Sequence, residues 1–121
     1  MYVTSHINHN VFRTKVLTKK NDIKLGMMGK TFTKEFDALL FVKKELVSSF
    51  WMKNCIIPLD VIFIHDNIIT TIHHSCPPCK EINDDKCLRY KGTGDLVIEM
   101  LGGTCQVLGI KAGDRVIFNH E

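Results

Sequence analysis

Short apolar runs alternate with turn-forming residues from Val11 to Phe118, a pattern that predicts a mostly β chain. Val11 to Leu17 reads as a strand. Thr18 is placed to cap a short helix that carries Ile23 and Met27 on one face and ends near Gly29. Ala38 to Val42 and Leu46 to Met52 read as a hairpin around Lys43-Lys44-Glu45. Val61 to Ile64 and Ile68 to Ile72 read as a second, turning at His65-Asp66-Asn67, where Asp and Asn tolerate left-handed backbone. Pro77 and Pro78 make Cys76 to Lys91 a loop. Leu96 to Leu101 is a strand. Gly102-Gly103 then open a short helix, Thr104 to Leu108, which Gly109 ends. Ile110 to Asp114 is a turn and Arg115 to Phe118 a last strand. About seven or eight strands with one or two short helices imply one β-sandwich or small barrel.

The segment Phe50 to Ile64 breaks this simple picture. It sets Trp51, Lys53, Asn54 and Asp60 inside an otherwise apolar run. An unpaired polar group out of water costs about 1–3 kcal/mol, and a charge costs more. Alternation puts Phe50 and Met52 on one face, and Trp51 and Lys53 on the other. In the strand Leu96 to Leu101, Glu99 shares a face with Val97 and Leu101. Its carboxylate needs a cation, and Lys53 is the leading partner, on an adjacent strand, with Asp60 competing for it. One reading is a partly buried ion pair that orders the sheet. The other is a ligand pocket floored by Trp51, with Lys53, Asn54, Asp60 and Glu99 converging on a small molecule such as a sugar or a cation. Asp60 and Glu99 are the sole plausible carboxylate pair for glycoside chemistry. Cysteine catalysis would need His73 or His74 to approach Cys55, and no nucleophile motif surrounds it, which favours an inert buried thiol.

Composition narrows the rest. A chain of 121 residues with 45% hydrophobic content suits one domain, residues 1–121. No apolar run approaches the roughly 20 residues of a membrane span. Met1 to Asn10 is polar, holds His6 and His9, and lacks a secretory pattern, so a cytoplasmic location is expected. Net charge is +3, with 10 Lys and Arg against 5 Asp and Glu in residues 1–60. These lysines are dispersed and few aromatics interleave with them, which argues against specific nucleic-acid binding. In that setting the five cysteines are expected to be mostly reduced. Cys76, Cys79 and Cys87, with His74 (or His73) as a fourth ligand, form a candidate zinc site. Gly102-Gly103-Thr104 looks like a small anion site, although glycines there more often serve a tight turn.

Several stretches together resemble a known family. They are Phe50-Trp51-Met52-Lys53-Asn54, Pro58-Leu59-Asp60-Val61-Ile62-Phe63-Ile64, Gly26-Met27-Met28, the Pro77-Pro78-Cys79 loop with Cys87 and Tyr90, Val97-Ile98-Glu99-Met100, and Leu108 to Val116. Together, over about residues 11–118, they resemble the domain of unknown function 192. The resemblance implies a compact, mostly β fold of sandwich or barrel type and carries no established activity. Many members look exported. The resemblance also makes Cys79 and Cys87 the counterparts of a disulfide in exported relatives, expected here to be unbridged. Three positions depart from the family pattern. Cys55 stands where Thr is usual, Cys76 is an extra cysteine, and the Arg that often precedes the Gly26-Met27-Met28 equivalent is missing.

These readings favour a non-catalytic small-molecule or protein-binding accessory module. The rivals are a small enzyme using Lys53, Asp60 and Glu99, and a structural or interaction module such as an adaptor or a virion component.

Overall fold

The alternating runs become nine strands and two short helices in a computed structural model that describes residues 1–121. In order they are β1 (Tyr2–Ile7), β2 (Asn10–Leu17), α1 (Lys20–Leu25), β3 (Ala38–Val42), β4 (Val47–Phe50), β5 (Leu59–His65), β6 (Ile68–Cys76), β7 (Tyr90–Thr93), β8 (Leu96–Leu101), α2 (Thr104–Leu108) and β9 (Val116–His120). Seven strands form one curled sheet in the order β6-β5-β8-β3-β2-β1-β9, a half-barrel. Its edge strands meet at one corner. There Val116 N–H donates to the Asn67 carbonyl (2.8 Å) and Ile69 N–H to that of Asp114 (2.9 Å). β4 and β7 form a separate two-stranded ribbon. No helix is long and apolar enough to cross a membrane.

The sheet is buried on both sides, so its central strands read as unbroken apolar runs. One face of β3, β5 and β8 carries Ala38, Leu40, Ile62, Ile64, Ile98 and Met100, which pack with Ile7, Phe12, Cys105 and Val116. The other carries Leu39, Phe41, Val61, Phe63 and Val97, which pack with Leu17, Met27, Met52 and Cys55. The β4–β7 ribbon covers this second face. Phe50 meets Phe41 and Phe63 edge-on, with ring centroids 5.0 and 5.9 Å apart. Gly92 on β7 permits the contact, because a Cβ there would lie 2.3 Å from the Phe63 ring.

Several expectations hold and three are corrected. The β5–β6 hairpin turns at Asp66 and Asn67, both with positive φ (50° and 63°). The bracket from Gly102 to Gly109 encloses α2 as expected. The polar N-terminus, however, is strand β1, paired with β2 through a turn at Asn8 and His9. Its inward residues include Ser5, whose hydroxyl lies 2.6 Å from that of Thr14, so a satisfied buried polar pair hid the alternation. The expected hairpin of Ala38–Val42 with Leu46–Met52 does not form. β3 lies between β2, parallel, and β8, antiparallel, while β4 pairs with β7. Helix α1 is not capped by Thr18. Its N-cap is Lys19, and it ends at Gly26, where φ is 45°. A Cβ on Gly26 would lie 3.1 Å from the Phe41 ring, so glycine lets the chain turn closely over the sheet and drop Met27 into the core.

Candidate functional site

Asp60 and Glu99 are both buried, but on opposite sides of the sheet. In the β5–β8 register Asp60 lies beside Met100 and Glu99 beside Val61. Met100 belongs to the first core and Val61 to the second. Paired residues on neighbouring strands project to the same face, so the two carboxyls point apart. This corrects both the expected convergence of the two carboxyls and their use as a glycosidase pair.

Asp60 is a structural anchor. Its Oδ1 accepts from the N–H groups of Ser75 (2.8 Å) and Gly103 (3.0 Å), and its Oδ2 from that of Cys105 (2.8 Å). The acceptor therefore ties the first turn of α2 to the end of β6. It also holds Ser75 in its left-handed conformation (φ 47°). Gly102-Gly103-Thr104 is a tight turn filled by the protein's own carboxylate, and the anion-site reading falls away.

Glu99 has no such partners. The residue is 4% exposed, and its carboxyl makes neither a hydrogen bond nor an ion pair with the protein. Burial alone pushes its pKa up to about 8, so the group is mainly a neutral acid at pH 7. It opens on a cavity of about 150 Å³. Met27, Met28, Phe50, Trp51 and Cys55 supply apolar and sulfur wall, and Lys24, Lys43 and Lys53 also line it. An antiparallel bridge between Met28 and Cys55 brings the α1 exit against the segment after β4. Cys55 is pushed up to about 12, by burial first and by Glu99 second. Its thiol thus stays protonated and is no nucleophile at neutral pH.

The expected Lys53–Glu99 pair does not form. Lys53 Nζ contacts Asp84 at 2.9 Å and donates to the Glu81 carbonyl. The Cys79–Cys87 loop supplies both partners, and its backbone is fastened by Cys79 N–H to the Met52 carbonyl (2.9 Å). Asn54 is exposed and serves through its main chain. With φ at 61°, its carbonyl accepts from Gly29 N–H at 2.8 Å. Trp51 lines the cavity and stacks under Arg89, whose guanidinium carbon lies 4.1 Å from the ring centroid. Of the expected set Trp51, Lys53, Asn54, Asp60 and Glu99, the fold brings Trp51, Lys53 and Glu99 to one cavity.

The zinc set is not assembled. Cys79 and Cys87 are bridged, which corrects the reduced loop expected. Disulfide sulfurs offer no thiolate to a metal. Cys76 is buried at the end of β6, its thiol donating to the His73 carbonyl (3.5 Å), and is pushed up to about 11 mainly by burial. His74 is exposed, and no group of three or more His, Cys, Asp or Glu residues is arranged to hold a metal.

Sequence reasoning missed Lys24, Lys43, Met27, Met28 and Cys55 as cavity wall. Gly26-Met27-Met28 was visible as a family stretch, but its contact with the segment after β4 is non-local.

The DUF192 family model, described as an uncharacterized ACR, matches residues 2–118. The match takes in β1 as well as the region from residue 11 onward. A protein of unknown function from Novosphingobium aromaticivorans DSM 12444 is similar in structure at 30% identity. Its TM-score is 0.79, with 97% of this chain and 84% of that one covered. A candidate transcription regulator from Sinorhizobium meliloti 1021 is similar at 24% identity and a TM-score of 0.80, over 98% and 94% of the two chains. No curated protein matches the chain.

Proposed function

The chain belongs to the DUF192 family, and on that premise we propose that it is a non-catalytic binding domain whose site is the Glu99 cavity. One observation carries the reading: a buried carboxyl without a protein partner opens into a cavity rather than into packed core. The Glu99 oxygens keep access to the cavity, where a ligand can hydrogen-bond to them. The cavity is small, so the ligand is small. Catalysis is disfavoured because Glu99 has no second carboxyl on its face and Cys55 holds its proton. The name of the Sinorhizobium relative suggests DNA, but at 24% identity the likeness bears on the fold alone. Dispersed lysines still favour a domain without sequence-specific nucleic-acid binding. The bridged Cys79–Cys87 pair favours an oxidising compartment over the cytoplasm expected from the sequence.

Methionine-methyl NMR tests the site reading. With the Met ε-methyls labelled, a library of small metabolites is screened for shifts. Hits should move the Met27 and Met28 resonances and weaken in Glu99→Leu. Hits that all map elsewhere, or a complete library without a hit, would defeat the proposal.

A further inference from the structure

The charge and chemistry of the cavity wall point to a class of ligand, given that the cavity is a binding site. Three ammonium-bearing side chains approach it from three segments: Lys24 from α1, Lys43 after β3, and Lys53 after β4. Lys43 is paired with Glu45 at 3.1 Å and Lys53 with Asp84 at 2.9 Å, which leaves Lys24 without a carboxylate partner. Lys43 Nζ also sits 5.3 Å from the centroid of Phe50, itself a wall residue. The one acidic group on the wall is Glu99. A cationic ligand would face these lysines and would require Glu99 to ionise while buried. An anion faces favourable charge, and a protonated carboxyl is a good donor to it, since an O–H···O⁻ bond is among the stronger hydrogen bonds. Beyond the polar groups, Met27, Met28, Phe50 and Trp51 offer apolar wall to a short tail.

We propose that the cavity binds a small carboxylate anion with a short apolar tail, Glu99 donating a hydrogen bond to the ligand carboxylate while Lys24, which has no carboxylate partner, supplies positive charge. The Glu99 proton stays on the protein and no covalent step is involved. Binding therefore depends on pH through Glu99. Lys24, Lys43 and Lys53 line the same cavity, Lys43 and Lys53 with their ammonium groups on Glu45 and Asp84, and Cys55 and Cys76 sense the Glu99 charge. Both thiols are held protonated by burial, at about 12 and about 11, so they stay neutral while Glu99 titrates near 8.

Three four-carbon probes separate the possibilities: sodium butyrate, 1-butanol and butylammonium chloride. Each is titrated into the folded protein while the Met27 and Met28 methyls are followed by NMR. Butyrate should bind tightest of the three. Its apparent affinity should fall about tenfold between pH 7 and pH 9 as the competent, protonated fraction shrinks. Glu99→Gln keeps an N–H donor of similar shape, so it should still bind butyrate with the pH dependence gone. Lys24→Met, at an exposed position that leaves the fold intact, should weaken butyrate several-fold and leave butanol unchanged. Butylammonium or butanol binding more tightly than butyrate would overturn the anion assignment while leaving the cavity as the site. Butyrate failing to move either methyl, or binding without pH dependence in the wild-type chain, would also overturn it. The library screen above decides separately whether the cavity binds anything.

Discussion

Asp60 and Glu99 sit on neighbouring strands, both buried, one residue apart in register, and have opposite roles. Asp60 accepts three backbone N–H bonds and joins α2 to β6. Glu99 has no protein partner and faces a cavity. Burial alone therefore does not mark a functional carboxylate. The hydrogen-bond census around it does: a satisfied group is part of the frame, and an unsatisfied one is available to a ligand. What divides the two is the pleat of the sheet, which turns consecutive positions to opposite faces.

The largest test of this contrast is Asp60→Ala. It leaves the N–H groups of Ser75, Gly103 and Cys105 without their acceptor, the last of them buried, and should cost about 2–4 kcal/mol in urea unfolding. A loss under about 1 kcal/mol would mean that Asp60 is no anchor.

The next effect is the pH dependence that Glu99 imposes. Its ordinary value is 4.5, and burial raises it to about 8 in the folded protein. Between these values the native state keeps a proton that the unfolded chain releases. Stability from this group is therefore full below about 4.5, falls as pH rises, and is lost by about 8. The slope is about 1.4 kcal/mol per pH unit, on the order of 4–5 kcal/mol over the window. Glu99→Gln should abolish that slope. Identical pH–stability curves for the two proteins would erase the distinction from Asp60, because they would require a Glu99 that ionises normally.

A smaller loss is expected at the loop that holds Lys53 away from Glu99. Removing the Cys79–Cys87 bridge, whose cysteines are 8 positions apart, should cost about 2–3 kcal/mol by the chain-entropy argument. Thermal unfolding of Cys79→Ser/Cys87→Ser measures this, and an unchanged midpoint would mean that the bridge does not constrain the loop.

The smallest effect belongs to Lys53→Met. Its partner Asp84 is largely exposed, so the change should cost less than about 1 kcal/mol. Had Lys53 been the buried partner of Glu99, the loss would be about 3–5 kcal/mol. Urea unfolding at pH 7 separates the two outcomes.

Much of this molecule was legible in the chain. Short apolar runs between turn-forming residues located β2, β5, β6 and β8, and Asp66-Asn67 and the Gly102 to Gly109 bracket located the turn and α2. Trp51, Lys53 and Glu99 were singled out because polar residues in apolar runs are costly and need a reason. Such features depend on residues within a few positions of each other, and local sterics and patterning decide them. Three further matters were decided by tertiary structure: β3 lies between β2 and β8 instead of against β4, Asp60 and Glu99 face apart, and the Cys79–Cys87 loop holds Lys53. Each depends on which distant strand supplies the neighbour and in what register. That choice is made by the joint packing of two cores against one sheet, and no short window of sequence contains it.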